Sequence, residues 1–288
     1  MIVLLLLASL LFIPDFSQAQ SISTFSTPDP LEIVRQSLEQ DRMNFERARD
    51  YTYIEESRTR RLDGAGRVEK TESETFDVLM LGGRPYKKLI ARNGRALSEE
   101  QAAKANRDFE KELRKRQEET EKQRREAAEK LDKERKNSRA FLGEIPKAFH
   151  FKLVGVEKVD GLAAWVIEAE PRADFRSEVK RAGLLSKFRG KIWIDQRELQ
   201  WVRVEAETID TVSFGWVLAR LGPGARLTFR QARVNGEVWL PSRATTRLDA
   251  RVGLVKRINA ESEVEWREYR KFRTDSRVVE VGELTDQP

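Results

Sequence analysis

The chain carries a single histidine, His150, and no cysteine. Disulfides, thiolate metal ligands, cysteine nucleophiles and a lipidated cysteine are therefore excluded, as is a centre built from several imidazoles of one chain. His150 lies in Ala148-Phe149-His150-Phe151, and no Gly-x-Ser-x-Gly elbow occurs in the sequence. A Ser-His-Asp relay thus lacks its nucleophile, and the histidine reads as structural. Gly222-Pro223-Gly224 is not followed by the Lys-Ser/Thr of a phosphate loop. Carboxylate pairs such as Asp174/Glu178 are ordinary in a chain with 48 acids. Carboxylate-only glycoside hydrolysis is the catalytic chemistry the residue types still permit. The reading is a non-catalytic binding protein without metal or cofactor.

Two groups of side chains suit binding. Phe214, Trp216 and Leu218 on one predicted strand, with Phe229, Leu240 and Trp266 on later strands, are candidates to line a cavity for an apolar ligand; ordinary core packing is the alternative. In the segment Arg172 to Arg189, the apolar Phe175, Val179, Leu185 and Phe188 interleave with Arg176 and Lys180. On a helix these form one apolar stripe with a basic flank, a lid for that cavity or a contact to an anionic membrane surface. Gly183 weakens such a helix.

The elements that position these groups are mostly strands. Asp29-Pro30 caps a predicted helix over 31–48, after which the period changes to two: Tyr51, Tyr53 and Glu55 face one way. Asp63-Gly64-Ala65-Gly66, Gly82-Gly83 and Asn93-Gly94 mark turns of a three-stranded meander. Residues 98–136 interrupt it with twelve acids and thirteen bases, many in i,i+4 pairs such as Glu112/Arg116 and Glu110/Arg114. Large apolar residues are too sparse there for a coiled-coil seam, so a solvated helix or helical hairpin with little contact to the sheet is predicted. A helix over 140–149 returns the chain to strands at 149–159, 162–170, 190–195, 199–208, 211–221, 225–234, 237–251 and 256–272. Asp160-Gly161 and Asn235-Gly236 turn two of the hairpins. The fold class is α+β: one large curved antiparallel sheet, a half-barrel, with helices covering one face and a long charged helical insertion.

The late strands place apolar residues on one side and charge on the other. Arg243, Arg247 and Arg251 fall within reach of Glu261, Glu263 and Glu265, a cross-strand charge ladder. The predicted covers, 31–48, 140–149 and 172–189, are too few for ten strands. The surplus dry face is either curled shut or left for an apolar ligand.

Residues 1–19 have the apolar core and the Ser17-Gln18-Ala19 end of a cleavable signal peptide, though without Lys or Arg at the start. The expected product is periplasmic and begins at Gln20, with a flexible leader over 20–30, one domain over 31–274 and a tail over 275–288. Its net charge, +6 for the whole chain, then meets lipid headgroups, envelope polysaccharide or acidic proteins, and nucleic acid is not an expected partner.

Gly190-Lys191-Ile192-Trp193-Ile194-Asp195 followed by Leu199-Gln200-Trp201-Val202-Arg203-Val204 resembles a strand pair of the periplasmic lipoprotein-carrier (LolA/LolB-like) superfamily. Tyr51-Thr52-Tyr53 and the terminal Trp266-Arg267-Glu268-Tyr269-Arg270-Lys271-Phe272 fit the same pattern. The resemblance spans most of 31–274, whereas the insertion over 98–136 departs from the small carriers. It implies an antiparallel sheet wrapped around an apolar cavity, capped by helices, that holds a lipid or the acyl chains of a lipoprotein. A cell-envelope scaffold whose core is filled by its own side chains is the alternative.

Overall fold

A computed structural model describes residues 28–214, 219–252 and 256–272. The signal segment, most of the leader, the tail, Trp216 and Leu218 lie outside these residues.

Helix α1, Pro30–Ala48, begins where Asp29 accepts the Leu31 amide and Pro30 fixes the first turn. Strands β1 (Tyr51–Leu62), β2 (Val68–Leu81), β3 (Arg84–Arg92) and the short β4 (Arg95–Ala96) form the meander. Helices α2 (Glu99–Gln117) and α3 (Glu121–Gly143) follow, each opened by a reciprocal capping box, Ser98/Gln101 and Thr120/Gln123. The predicted helix over 140–149 is divided: α3 ends at Gly143 and α4 (Ile145–Ala148) is one separate turn started by Pro146. The remaining strands are β5 (Phe149–Val159), β6 (Leu162–Pro171), β7 (Phe188–Asp195), β8 (Trp201–Thr208), β9 (Val212–Phe214), β10 (Ala219–Leu221), β11 (Arg226–Val234), β12 (Val238–Val252) and β13 (Lys256–Lys271).

All pairings are antiparallel, and the sheet is unclosed. Its order is β4-β3-β2-β1-β13-β12-β11-β8-β7-β6-β5, with β9 and β10 as a side branch on β12. The strand expected over 211–221 is therefore two strands that pair with each other, Ala219 opposite Phe214. The crease between β8–β11 and β9–β10 is stitched by Thr208, whose buried hydroxyl donates to the Gly222 carbonyl (2.8 Å) and accepts the Ala225 amide (2.9 Å). Gly190 is required by close approach: a Cβ there would lie 2.3 Å from the Glu205 carbonyl oxygen on the neighbouring strand.

α1 crosses one end of the sheet. Ile33 and Val34 pack with Ile145, Ala148, Phe149 and Ile167, in a cluster that also holds Ile192 and Ile194. Ser37, further along, accepts a hydrogen bond from Trp201 Nε1 at 2.6 Å. At its far end the buried Asn44 pairs with Trp239 as a strand neighbour would. Its side-chain oxygen accepts the Trp239 amide and its nitrogen donates to the Trp239 carbonyl, both at 2.7 Å.

The segment 172–187 is not the continuous amphipathic helix its spacing predicts. It runs through bends to a short 3₁₀ turn over Ala182–Lys187, preceded by Arg181 at φ +67°, a left-handed residue that interrupts helical geometry. The charged insertion also makes more contact with the sheet than its composition predicts. Phe109 of α2 packs on Tyr86 of β3 with centroids 5.7 Å apart, and Arg84 pairs with Glu119 at 2.6 Å. Arg116, held by Glu112 at 2.7 Å, donates to the carbonyls of Leu81 and Arg84 at the β2–β3 turn. α3 returns to α1, where Arg139 pairs with Glu46 and both Arg135 and Arg139 lie over the Phe45 ring. The two helices thus strap the β3 edge of the open sheet to α1.

Asn44→Ala removes a donor and an acceptor from a buried backbone position at once. An unpaired buried polar group costs about 1–3 kcal/mol, so urea denaturation of Asn44→Ala should show a loss of about 2–4 kcal/mol. A loss under about 0.5 kcal/mol would show that water replaces the amide.

Candidate functional site

Because side chains alternate along a strand, register decides which residues share a face. Cross-strand partners run Ile167–Ile192–Val204–Phe229–Ala244–Val264–Ser57–Glu74–Arg92 from β6 to β3. α1 lies on this inner face, since Ile167 and Ile192 belong to its cluster. The row is apolar from β6 to β13 and polar from β1 onward.

Its two halves are covered differently. Ile167 and Ile192 are buried under α1, α4 and the 172–187 segment, which contributes Phe175, Ala182 and Leu185. In the middle, Phe229, Ala244, Val264 and Trp266 are only half-buried and belong to none of the three buried clusters among the described residues. Leu227, on the same face as Phe229, is 40% exposed. Gln231 adds a polar atom, a side-chain oxygen removed from solvent with no hydrogen-bond partner among the described residues. This stretch is an apolar trough.

At the β1 side the trough meets an ion pair. Glu55, paired with Trp266 across β1 and β13, is buried, with 7% of its surface exposed. Its carboxylate accepts a hydrogen bond from Lys87 Nζ at 2.5 Å and from Trp266 Nε1 at 3.3 Å. The Lys87 ammonium lies 5.8 Å from the centre of the Phe76 ring. Tyr53 and Tyr269 stand beside this acid with rings 5.4 Å apart, and Tyr269 donates its hydroxyl to the Pro241 carbonyl. Burial pushes the Tyr269 phenol well above its ordinary value, and the neighbouring Tyr53 and Glu55 add to the shift. Tyr53 moves the same way, through burial first and then Glu55.

The opposite face is charged across its middle strands. Arg243 pairs with Glu263 and Glu265, Arg247 with Glu261, and Arg58 with Glu263. Arg243 and Arg247 thus form the ladder expected from the late strands, whereas Arg251 stands opposite Arg257 in the register. Further along, Lys191 pairs with Glu168 and Arg189 with Glu207. A smaller apolar cluster, with Trp193, Val202 and Trp239, closes the end of that face beside the β5–β6 turn.

The trough holds Phe229 and Trp266 of the predicted lining residues. Leu240 lies elsewhere, buried with Tyr51 and Val238. Phe214 is in β9, while Trp216 and Leu218 fall outside the described residues. In the 172–189 segment, Phe175 and Leu185 are buried and Val179 packs against them, Arg176 and Lys180 are exposed, and Phe188 begins β7. His150 is exposed on β5. Glu55, Lys87 and Tyr269 were not among the predicted site residues; the signal for Glu55 is an acid in the alternation of Tyr51 and Tyr53. A separate groove of about 420 Å³ runs between α1 and α3 over Leu38, Phe45 and Leu142, rimmed by Arg35, Arg42, Arg135 and Arg139. Its lining shares no residue with the trough.

No family model matches the sequence, and no curated protein matches it. Solved structures at 10–13% identity are similar to it. A LolA-superfamily protein from Nitrosomonas europaea is 13% identical, with a TM-score of 0.30, covering 86% of this chain and 94% of that one. A DUF1329 family protein from Desulfovibrio piger is 12% identical, with a TM-score of 0.31, covering 86% of this chain and 96% of that one. In the MucA/MucB complex of Pseudomonas aeruginosa the matched chain is 10% identical, with a TM-score of 0.26, covering 86% of this chain and 100% of that one.

The buried phenol gives the site a pH signature. A tyrosine whose folded pKa lies above its unfolded value of about 10 contributes stability that is whole below pH 10 and falls as pH rises beyond it. Absorbance titration should therefore show a tyrosine ionising later than the rest, and Tyr269→Phe should remove that late step. Four tyrosines titrating together near pH 10 would contradict the burial of Tyr269.

Proposed function

We propose that the protein is an exported, non-catalytic binding protein that holds an acyl chain along the inner-face trough of its open sheet. The observation that carries this reading is the row Phe229, Ala244, Val264 and Trp266. These apolar and aromatic side chains are left half-buried beside a fully buried continuation of the same row. An alkyl chain laid along them gains about 0.8 kcal/mol for each methylene removed from water, less the cost of association. The resemblance of the Gly190–Asp195 and Leu199–Val204 strands to lipoprotein carriers implies the same kind of ligand. The segment 172–187, packed over the β6–β7 end of the row, borders the ligand. A cell-envelope scaffold with a filled core requires the row to be covered, and among the described residues the middle of it is only half-buried.

The test is displacement of a fluorescent acyl probe. The intact protein is expected to bind it, and Phe229→Glu, which puts a charge in the trough, should weaken binding at least tenfold while the melting temperature changes by only a few degrees. Arg247→Ala on the charged face should leave binding unchanged. Ile192→Ala, in the covered half, should instead cost about 2–5 kcal/mol of stability. Failure of the unmodified protein to bind the probe would overturn the acyl-chain reading and favour the scaffold.

A further inference from the structure

The polar end of the trough has the composition of a cation site. Glu55 is a buried carboxylate among aromatic side chains: Trp266 donates to it, Phe76 is its cross-strand partner on β2, and Tyr53 and Tyr269 adjoin it. A carboxylate in such surroundings calls for a cation, and aromatic faces favour one further. The position is filled by Lys87, whose ammonium sits 2.5 Å from Glu55 and over the Phe76 ring. The two partners are unequal: the Glu55 side chain is 10% exposed, that of Lys87 is 52% exposed. Lys87 reaches in from β3, one strand from the edge of the sheet, on a flexible stem, so the lysine can leave and the glutamate cannot.

We infer that this end of the trough receives the ammonium of a zwitterionic amphiphile, which takes the place of Lys87 at Glu55 while the freed lysine pairs with the ligand's phosphate. The exchange conserves charge: one buried ion pair is replaced by another, and the displaced cation acquires an anion. An amphiphile with a purely anionic head has no such exchange. Taking Lys87 from Glu55 would leave a buried carboxylate unpaired, the costly way to break a buried pair. The next pair along the same face, Arg92 with Glu74 at 3.0 Å, is likewise already neutral. The apolar row from Trp266 to Phe229 runs from this point across β13, β12 and β11, so the head at Glu55 places the tail along the trough.

This inference rests on the acyl-chain reading, and the experiment separates the two. Lysophosphatidylcholine, lysophosphatidylethanolamine and lysophosphatidylglycerol of one chain length are competed against the fluorescent acyl probe on the intact protein. The zwitterionic pair is expected to compete at least fivefold better than the glycerol lipid, and Glu55→Gln should abolish that preference while the probe still binds. Lys87→Ala, which vacates the position without touching the acid, should strengthen competition by dodecyltrimethylammonium at least fivefold. Free phosphocholine at millimolar concentration should not compete, because it lacks the tail. Equal competition by all three lysolipids, or preference for the anionic one, would overturn the headgroup assignment and leave the acyl-chain reading standing. Competition by free phosphocholine as strong as by its lysolipid would show a site for the small zwitterion rather than for a lipid. Absence of probe binding would sink both readings.

Discussion

The architecture depends on a mismatch between the width of a sheet and the size of its cover. Eleven strands at about 4.8 Å spacing make an inner face about 50 Å across, whereas a helix with its side chains is about 10 Å thick. α1 crosses one end of that face, from Ile33 beside β5 and β6 to Asn44 at β12. The 172–187 segment and α4 cover part of the rest. The sheet does not close on itself, and among the described residues the middle strands keep apolar side chains that are only half-buried and outside the three buried clusters. The trough follows from that geometry.

Other features accommodate the same openness. Asn44 supplies hydrogen bonds to Trp239 that a neighbouring strand would ordinarily make, which lets α1 seat against the sheet without leaving backbone groups unpaired. Arg116 does the same for the carbonyls of Leu81 and Arg84 under the charged helices. The outer face needs no cover, because arginine and glutamate alternate across it. Pairs such as Arg247–Glu261 are exposed, and they contribute solubility and register more than stability.

Much of the framework was legible in the residues. Asp160-Gly161 and Asn235-Gly236 adopt the left-handed pairs of tight hairpins, at φ +49° and +84° and at +51° and +69°. Asp29-Pro30 starts α1, and the alternation of β11–β13 assigns the wet and dry faces. What failed to show was non-local. The split of the 211–221 strand depends on Thr208 reaching Gly222 and Ala225, and nothing in the local pattern announces it. The 172–187 segment has helical spacing, but Arg181 in the left-handed region and packing of Phe175 and Leu185 on the core override it. The Glu55–Lys87–Trp266 group joins residues 32 and 211 positions apart. An acid on an apolar face was its local sign; its partners emerge only from the register.

The central claim is that the middle of the inner face is open to an alkyl chain and its β6–β7 side is not. Methyl NMR with a stearate spin-labelled near its tail measures this directly. The account predicts the strongest paramagnetic broadening at Ala244 and Val264, falling off strand by strand toward Ile192 and Ile167. Equal broadening at all four, or none at any concentration of the labelled chain, would contradict it.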